Sequence, residues 1–196
     1  MESLFGKKNK REPGGALVLY TTKHGATMRY AQRIAQPLDA LVKEAAYARL
    51  EKAKTYDAIV LGCPVYMDKI KGLDFFADHA KELTDKRLVL FTCGLNDPQE
   101  EEVRRKLEDQ LREKLGDALS HIAVFHLRGG IRWQSLGFVE RMMMKALVAD
   151  MKKKPEENRS ETERLLIETE GGALDFSDEA DIASIVHAAR FGKEAE

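Results

Sequence analysis

Apolar residues fall in dense runs at Ala16 to Tyr20, Tyr56 to Cys63, Arg87 to Gly94 and His121 to Leu127. Runs of this length, closed by Thr, Gly or Pro, read as strands buried on both faces, because a strand with one wet face alternates instead. A weaker run, Ala45 to Leu50, reads as a sheet edge. Between the runs the spacing changes: Ala31, Ile34, Ala35 and Leu38 recur at helical intervals from Thr27, Gly72 to Leu83 reads as a helix, and Asp97-Pro98 opens a charged helix to about Leu119. Strands and helices that alternate in this way predict an α/β fold, a doubly wound five-stranded parallel sheet with helices on both faces.

After Gly130 the alternation breaks. A Met-rich helix is expected over Ser135 to Lys153, then a polar loop, a strand or hairpin around Arg164 to Phe176, and a last helix from Asp178 to Arg190. The reading is a mobile basic arm over 1–15 and one domain over 16–192, with a helical insertion at about 131–175 before the last helix.

Composition narrows the function classes. The 196 residues are 43% hydrophobic and 33% charged, enough for one core and a strongly solvated surface. With 32 basic and 33 acidic side chains, no global field draws the chain to nucleic acid, and none is expected as a partner. Two cysteines without paired spacing, and no secretory apolar segment after Met1, predict a cytoplasmic location. The histidines share no ligand spacing, so no metal is expected.

The segment Thr21 to Thr27 joins the first strand to the first helix. Backbone N–H groups, a helix dipole and three hydroxyls meet there, an arrangement suited to a phosphate. Gly25 lets the backbone close on an anion, and Thr27 is placed both to cap the helix and to donate to a phosphate oxygen. Taken alone, the turn reads equally well as an ordinary Thr-capped strand-to-helix connection. It lacks the Gly-Lys-Ser/Thr of a P-loop and the G-x-G-x-x-G of a dinucleotide fold, which argues against triphosphates and NAD.

Val18, Leu19, Tyr20, Thr22, Gly25, Thr27, Ala31 and Ile34 occupy every specified position of the flavodoxin signature, and the chain resembles that family. The resemblance implies FMN as cofactor, its 5′-phosphate on Thr22, Lys23, His24, Gly25, Ala26 and Thr27. Two further loops, Cys63 to Gly72 and Thr92 to Gln99, would flank the flavin ring. Pro64, Val65, Tyr66 and Met67 would lie on one side of it and Cys93, Gly94, Leu95 and Asn96 on the other.

Flavodoxins that act as electron carriers are, as the resemblance implies, strongly acidic. This chain is near neutral, and its loops at the flavin end carry Lys23, His24, Lys69, Lys71, Arg128 and Arg132, which suits a small anionic or aromatic substrate. The segment from Leu127 to Lys154 resembles the menaquinone-dependent protoporphyrinogen IX dehydrogenases of haem biosynthesis. That likeness implies an FMN-dependent oxidoreductase with a quinone acceptor, and Lys69, Arg128, Arg132 and Trp133 as substrate-binding residues. The chain departs from that branch in having only Ile131, Arg132 and Trp133 where the branch carries a longer basic and aromatic string. A soluble electron carrier and a non-enzymatic sensing module are the alternative readings, and no catalytic base is assigned.

On a helical wheel Leu136, Val139, Met142, Met143, Ala146, Leu147 and Ala149 form one stripe, expected to face the core. Phe138, Met144, Val148 and Met151 fall outside it. With Lys152-Lys153-Lys154 behind them they offer surface to a partner subunit or to the inner face of a membrane. Cys63 and Cys93 close neighbouring strands, as a redox pair or as two small buried residues.

Overall fold

The computed structural model describes residues 15 to 192, so the basic arm of the sequence reading lies outside the described residues apart from Gly15. The central sheet is built from β1 (Ala16–Tyr20), β2 (Leu41–Glu44), β3 (Ala58–Tyr66), β5 (Arg87–Gly94) and β6 (Ile122–Arg128), all parallel in the order β2-β1-β3-β5-β6. A two-residue strand, β4 (Lys69–Ile70), folds back antiparallel on the end of β3. The fold is α/β, a parallel sheet flanked by helices on both faces.

Register explains the continuous apolar runs. Val18, Val60 and Val89 align across the three central strands and point to one face, where they meet α1 (Ala26–Leu38) and α7 (Glu179–Phe191). Leu17, Ile59 and Leu88 align one residue earlier and point to the other face. There they meet α3 (Asp74–His79) and α4 (Glu101–Leu115) through Phe75, Phe76, Leu111 and Leu115. Both faces are covered, so alternation has no reason to appear. Phe91 and Phe76 are fully buried, each worth about 2–3 kcal/mol of apolar transfer. Gly62 is the close-approach point, since a Cβ there would overlap the Phe91 ring.

Several boundaries differ from the sequence reading. The edge strand is Leu41–Glu44, and Ala45–Tyr47 is a 3-10 turn followed by a short helix, α2 (Leu50–Ala53). β2 pairs only with β1 and is largely solvated, which frees it from the apolar pattern used to find the others. Asp97 does not start α4: its carboxylate accepts the Gln99 N–H at 2.8 Å, forming a turn, and α4 begins at Glu101. The helix stops at Gly116, whose φ of +53° suits glycine.

Beyond β6 lie β7 (Gly130–Arg132), α5 (Phe138–Lys153), α6 (Glu161–Glu168) and β8 (Ala173–Asp175), and β7 and β8 form an antiparallel pair. Of these, α6 and β7 escaped the sequence reading. Ile131, Trp133, Leu136, Val148 and Leu166 make a separate small core, joined to the main body through Leu95. The face of α5 is the reverse of the wheel expectation. Val148 is fully buried with Met144 and Met151 packed beside it, while Val139, Met142, Met143 and Leu147 are exposed, as is Phe138. The wheel chose the larger apolar stripe, but the short α6 beneath the helix accepts only the narrower one.

Candidate functional site

The site is built on the carboxyl ends of β1, β3 and β5, the place where parallel α/β sheets open a crevice. Thr21 extends the β1–β3 pairing by donating to the Gly62 carbonyl at 2.9 Å. Gly25 is the N-cap of α1 at φ 83°, a conformation that few other residues hold without strain. Its N–H is fixed by donation to the Thr22 hydroxyl at 3.0 Å. The N–H groups of Ala26, Thr27 and Met28 open the helix with no preceding turn to receive them, at the positive end of the dipole.

Thr27 departs from its expected role. It is 1% exposed, its hydroxyl acts to lower the pKa of the Cys93 thiol, and Gly25 holds the cap position instead.

Charge gathers over this loop. The Nζ of Lys23 lies 3.7 Å above the Tyr66 ring and 3.1 Å from Oε1 of Glu140, on the first turn of α5. His24 Nε2 approaches the same oxygen at 3.7 Å. The other carboxylate oxygen accepts the Gly137 N–H at 3.1 Å. Hydrogen bonds to Tyr66 and then to Glu140 raise the Lys23 pKa, and Lys23 followed by the Gly137 amide lowers that of Glu140. Sequence reasoning missed both Glu140 and Arg29. Arg29, four residues beyond Gly25 and so above it on the helix, puts Nη1 3.5 Å from where a Gly25 side chain would begin.

The two flanking loops converge on this point. β3 runs through Pro64 and Val65 to Tyr66, turns at Met67 (φ 50°) and Asp68 (φ 58°), and returns as β4. Two successive left-handed residues are the hairpin geometry that matches strand twist. Met67 stands at the tip, 65% exposed, and Tyr66 carries Lys23 on one ring face. Across from them, Cys93 is buried, Gly94 abuts Val65, and Leu95 packs on the small core. Asn96 spans the gap, donating to the Asp68 carboxylate at 3.4 Å. Gln110 of α4 secures the hairpin by donating to the Asp68 carbonyl at 2.9 Å and accepting the Ile70 N–H at 3.0 Å.

The residues expected to meet substrate separate into two groups. Lys69 and Arg132 are exposed. Arg128 is turned inward: its guanidinium pairs with Asp97 at 3.4 Å, donates to the Thr162 hydroxyl at 3.0 Å and stacks 3.6 Å from the Phe176 ring. Trp133 is 2% exposed in the small core, its indole N–H without a partner among the described residues. Arg128 is half-buried and Trp133 buried, because β7 pairs with β8 and draws the segment that follows β6 into the insertion.

Cys63 and Cys93 are both free and lie on opposite faces of the sheet. Burial raises both thiols, Cys93 to about 12 although Thr27 acts to lower it. The redox pair is thereby replaced by two core residues. His126, lowered by burial, lies 2.8 Å from the Thr92 hydroxyl within the sheet, on the line where those two residues are in register.

A flavodoxin domain model matches residues 17 to 158, which carry all three converging loops. The chain belongs to the flavodoxin domain family. FMN is the cofactor that goes with this family and with the site. The residues present fit it: Lys23 and His24 already hold a carboxylate beside the open N–H end of α1, and Gly25 leaves that end unobstructed. A comparison with curated proteins gives no match. Among solved structures, oxidised flavodoxin 2 from Bacillus cereus is 23% identical, covering 58% of this chain and 85% of its own, at a TM-score of 0.40. The two-electron reduced flavodoxin of Megasphaera elsdenii is 20% identical over 58% and 84% of the two chains, with a TM-score of 0.40. A flavoprotein of Lactobacillus acidophilus NCFM in complex with FMN is 15% identical over 58% and 92%, with a TM-score of 0.38.

Proposed function

We propose that the chain is an FMN-dependent oxidoreductase. The observation that carries the reading is the start of α1, where Thr22 fixes Gly25 in a left-handed cap, the first N–H groups of the helix have no preceding turn to pair with, and Lys23 and His24 gather on one carboxylate beside them. Backbone groups from Thr22 to Thr27 would hold the phosphate. Pro64 to Met67 and Cys93 to Asn96 would hold the ring. Bound FMN supplies electron and hydride transfer, which no side chain here offers.

The protein's own contribution is positioning. The Asn96 bond to Asp68 and the Gln110 bonds to the hairpin set the separation of the two ring loops. Lys69 and Arg132 are the exposed cations available to a small anionic substrate. Oxidation of protoporphyrinogen IX with a quinone acceptor is the specific reaction we put forward, with these two residues meeting its propionates. Its support is the likeness of the segment from Leu127 to Lys154, and Arg128 and Trp133 take no direct part in it.

A flavodoxin-type carrier is the second reading. It is favoured by the exposed tip at Met67 and the exposed apolar face of α5, which is tethered to the same loop through Glu140. Among the described residues no helix is long and apolar enough to cross a membrane. Anaerobic mixing of the FMN-loaded chain with protoporphyrinogen IX separates the readings. Bleaching of the flavin, with recovery on adding a menaquinone analogue, supports the enzyme. A flavin that stays oxidised with the porphyrinogen yet accepts electrons from a reductase supports the carrier.

A further inference from the structure

A cleft of about 130 Å³ lies between α1 and the β7–β8 hairpin. Arg29 and Arg33 enter it one helical turn apart from α1, and Arg132 enters from β7. Asp175 and Ser177 close the hairpin side. The wall is fixed by two glycines. Gly129 donates to the Gly94 carbonyl at 2.6 Å, and a Cβ on Gly130 would overlap the Leu174 carbonyl of β8.

The three guanidinium groups are unequally engaged. Arg33 is paired with Glu179. Among the described residues the Arg29 guanidinium pairs only with Asp175, at 3.7 Å, an ion-pair distance too long for a good hydrogen bond. The Arg132 guanidinium makes no hydrogen bond and no ion pair within 4 Å among the described residues, although its charge acts on Asp175. Asp175 itself is held from behind, accepting the Ser177 N–H at 3.1 Å. Partial burial works against its ionisation, but the Ser177 bonds together with Arg29 and Arg132 outweigh it and keep the carboxyl below the usual range. Two guanidinium groups therefore act on one anchored carboxylate and keep most of their donors unfilled. The volume leaves room for a carboxylate or phosphate group.

We propose that this cleft binds an oxyanion, the carboxylate or phosphate group of a small molecule, between Arg29 and Arg132, with Asp175 as the counter-ion whose place it takes. Guanidinium forks suit both groups bidentately. The site shares Ala26 with the cofactor phosphate loop and Arg29 borders both, but Arg132, Asp175 and Ser177 belong to the cleft alone, and it does not need bound FMN.

The test is calorimetric titration of the FMN-loaded full chain with sodium phosphate and, separately, sodium succinate at low ionic strength, with chloride as the control. Saturable one-to-one binding of either anion is expected, and the arm that responds says which group is recognised. Arg132→Gln should weaken it about tenfold, the value of one hydrogen bond to a charged group. Asp175→Asn should tighten it, because a competing carboxylate is gone. An Arg29–Asp175 bridge of purely structural value would make Asp175→Asn weaken binding, and that result overturns the proposal. No saturable heat with either anion overturns it as well. Repeating the titration on the cofactor-free chain with Thr22→Ala, which loosens the phosphate loop without reaching Arg29, beside Arg132→Gln keeps the two sites apart. Binding lost with the first variant and kept with the second places the anion in the cofactor loop, against the proposal, whereas the reverse supports the cleft even if the chain takes no FMN.

Discussion

The carboxylate of Glu140, on the first turn of α5, stands 3.1 Å from the ammonium of Lys23 in the loop that opens α1. An acidic side chain thus rests on the cations that a cofactor phosphate would use, and the two anions compete. Glu140→Gln should tighten FMN binding a few-fold and leave riboflavin unchanged, read by quenching of flavin fluorescence. Equal or weaker FMN binding would show that the carboxylate organises the loop instead.

The same contact has a pH dependence. Because Lys23 and the Gly137 amide lower the Glu140 pKa, its contribution is fully present above the ordinary glutamate range and is lost as pH falls through the lowered value. Hydrogen exchange in the amino-terminal turn of α5 should therefore be protected at neutral pH and quicken below about pH 4, after correction for the intrinsic rate. Protection that does not change on acidification would mean that the helix is held by other contacts.

Adjacent residues of α5 should respond in opposite ways. Val148 is fully buried and Leu147 is 46% exposed. Leu147→Asp should change stability by no more than about 0.5 kcal/mol, whereas Val148→Asp places a charge in the small core and should cost at least about 3 kcal/mol. Denaturant midpoints of the two variants measure this, and a reversed order would restore the face chosen by the helical wheel.

Neither thiol should be reactive. Burial raises Cys63 and Cys93 alike, and the two point to opposite sides of the sheet. Iodoacetamide at pH 8 should leave the native chain unmodified by intact mass and label both cysteines after denaturation. Oxidation to an intramolecular disulfide without loss of fold would contradict the strand geometry.

Gly25 should be the least replaceable residue of the loop. Valine at φ 83° carries strain of roughly 1–3 kcal/mol, and relieving it moves the N–H groups that follow. Gly25→Val should weaken FMN about tenfold or more, and Thr22→Ala should act the same way to a smaller degree by freeing the Gly25 N–H. Flavin titrations of both variants, with thermal melts to confirm folding, decide this.

What could be read in the sequence follows from which forces leave a pattern. The central strands are buried on both sides and so spell continuous apolar runs, and the loop before α1 needs its glycine and hydroxyls at fixed places. β2 was misplaced because an edge strand with solvated side chains leaves no such run. The face of α5 was inverted because a wheel ranks stripes by apolar content, while Leu166 of α6 and the indole of Trp133 decide which stripe finds a partner. Arg128 and Trp133 were read as substrate-binding groups because nothing local announces the β7–β8 pairing that turns them toward the insertion. Glu140 and Arg29 were missed for a related reason, since both reach the loop across a turn or a helix start that only the folded chain defines.

The central claim is that the loop from Thr22 to Thr27 holds the phosphate of FMN. The most direct measurement is a parallel titration of the cofactor-free chain with FMN and riboflavin, which differ only in that phosphate. FMN should bind at least about a hundredfold more tightly, as several charge-assisted hydrogen bonds require, with the advantage cut sharply by Gly25→Val. Equal affinity for the two flavins, or an FMN preference that Gly25→Val leaves intact, would contradict the account.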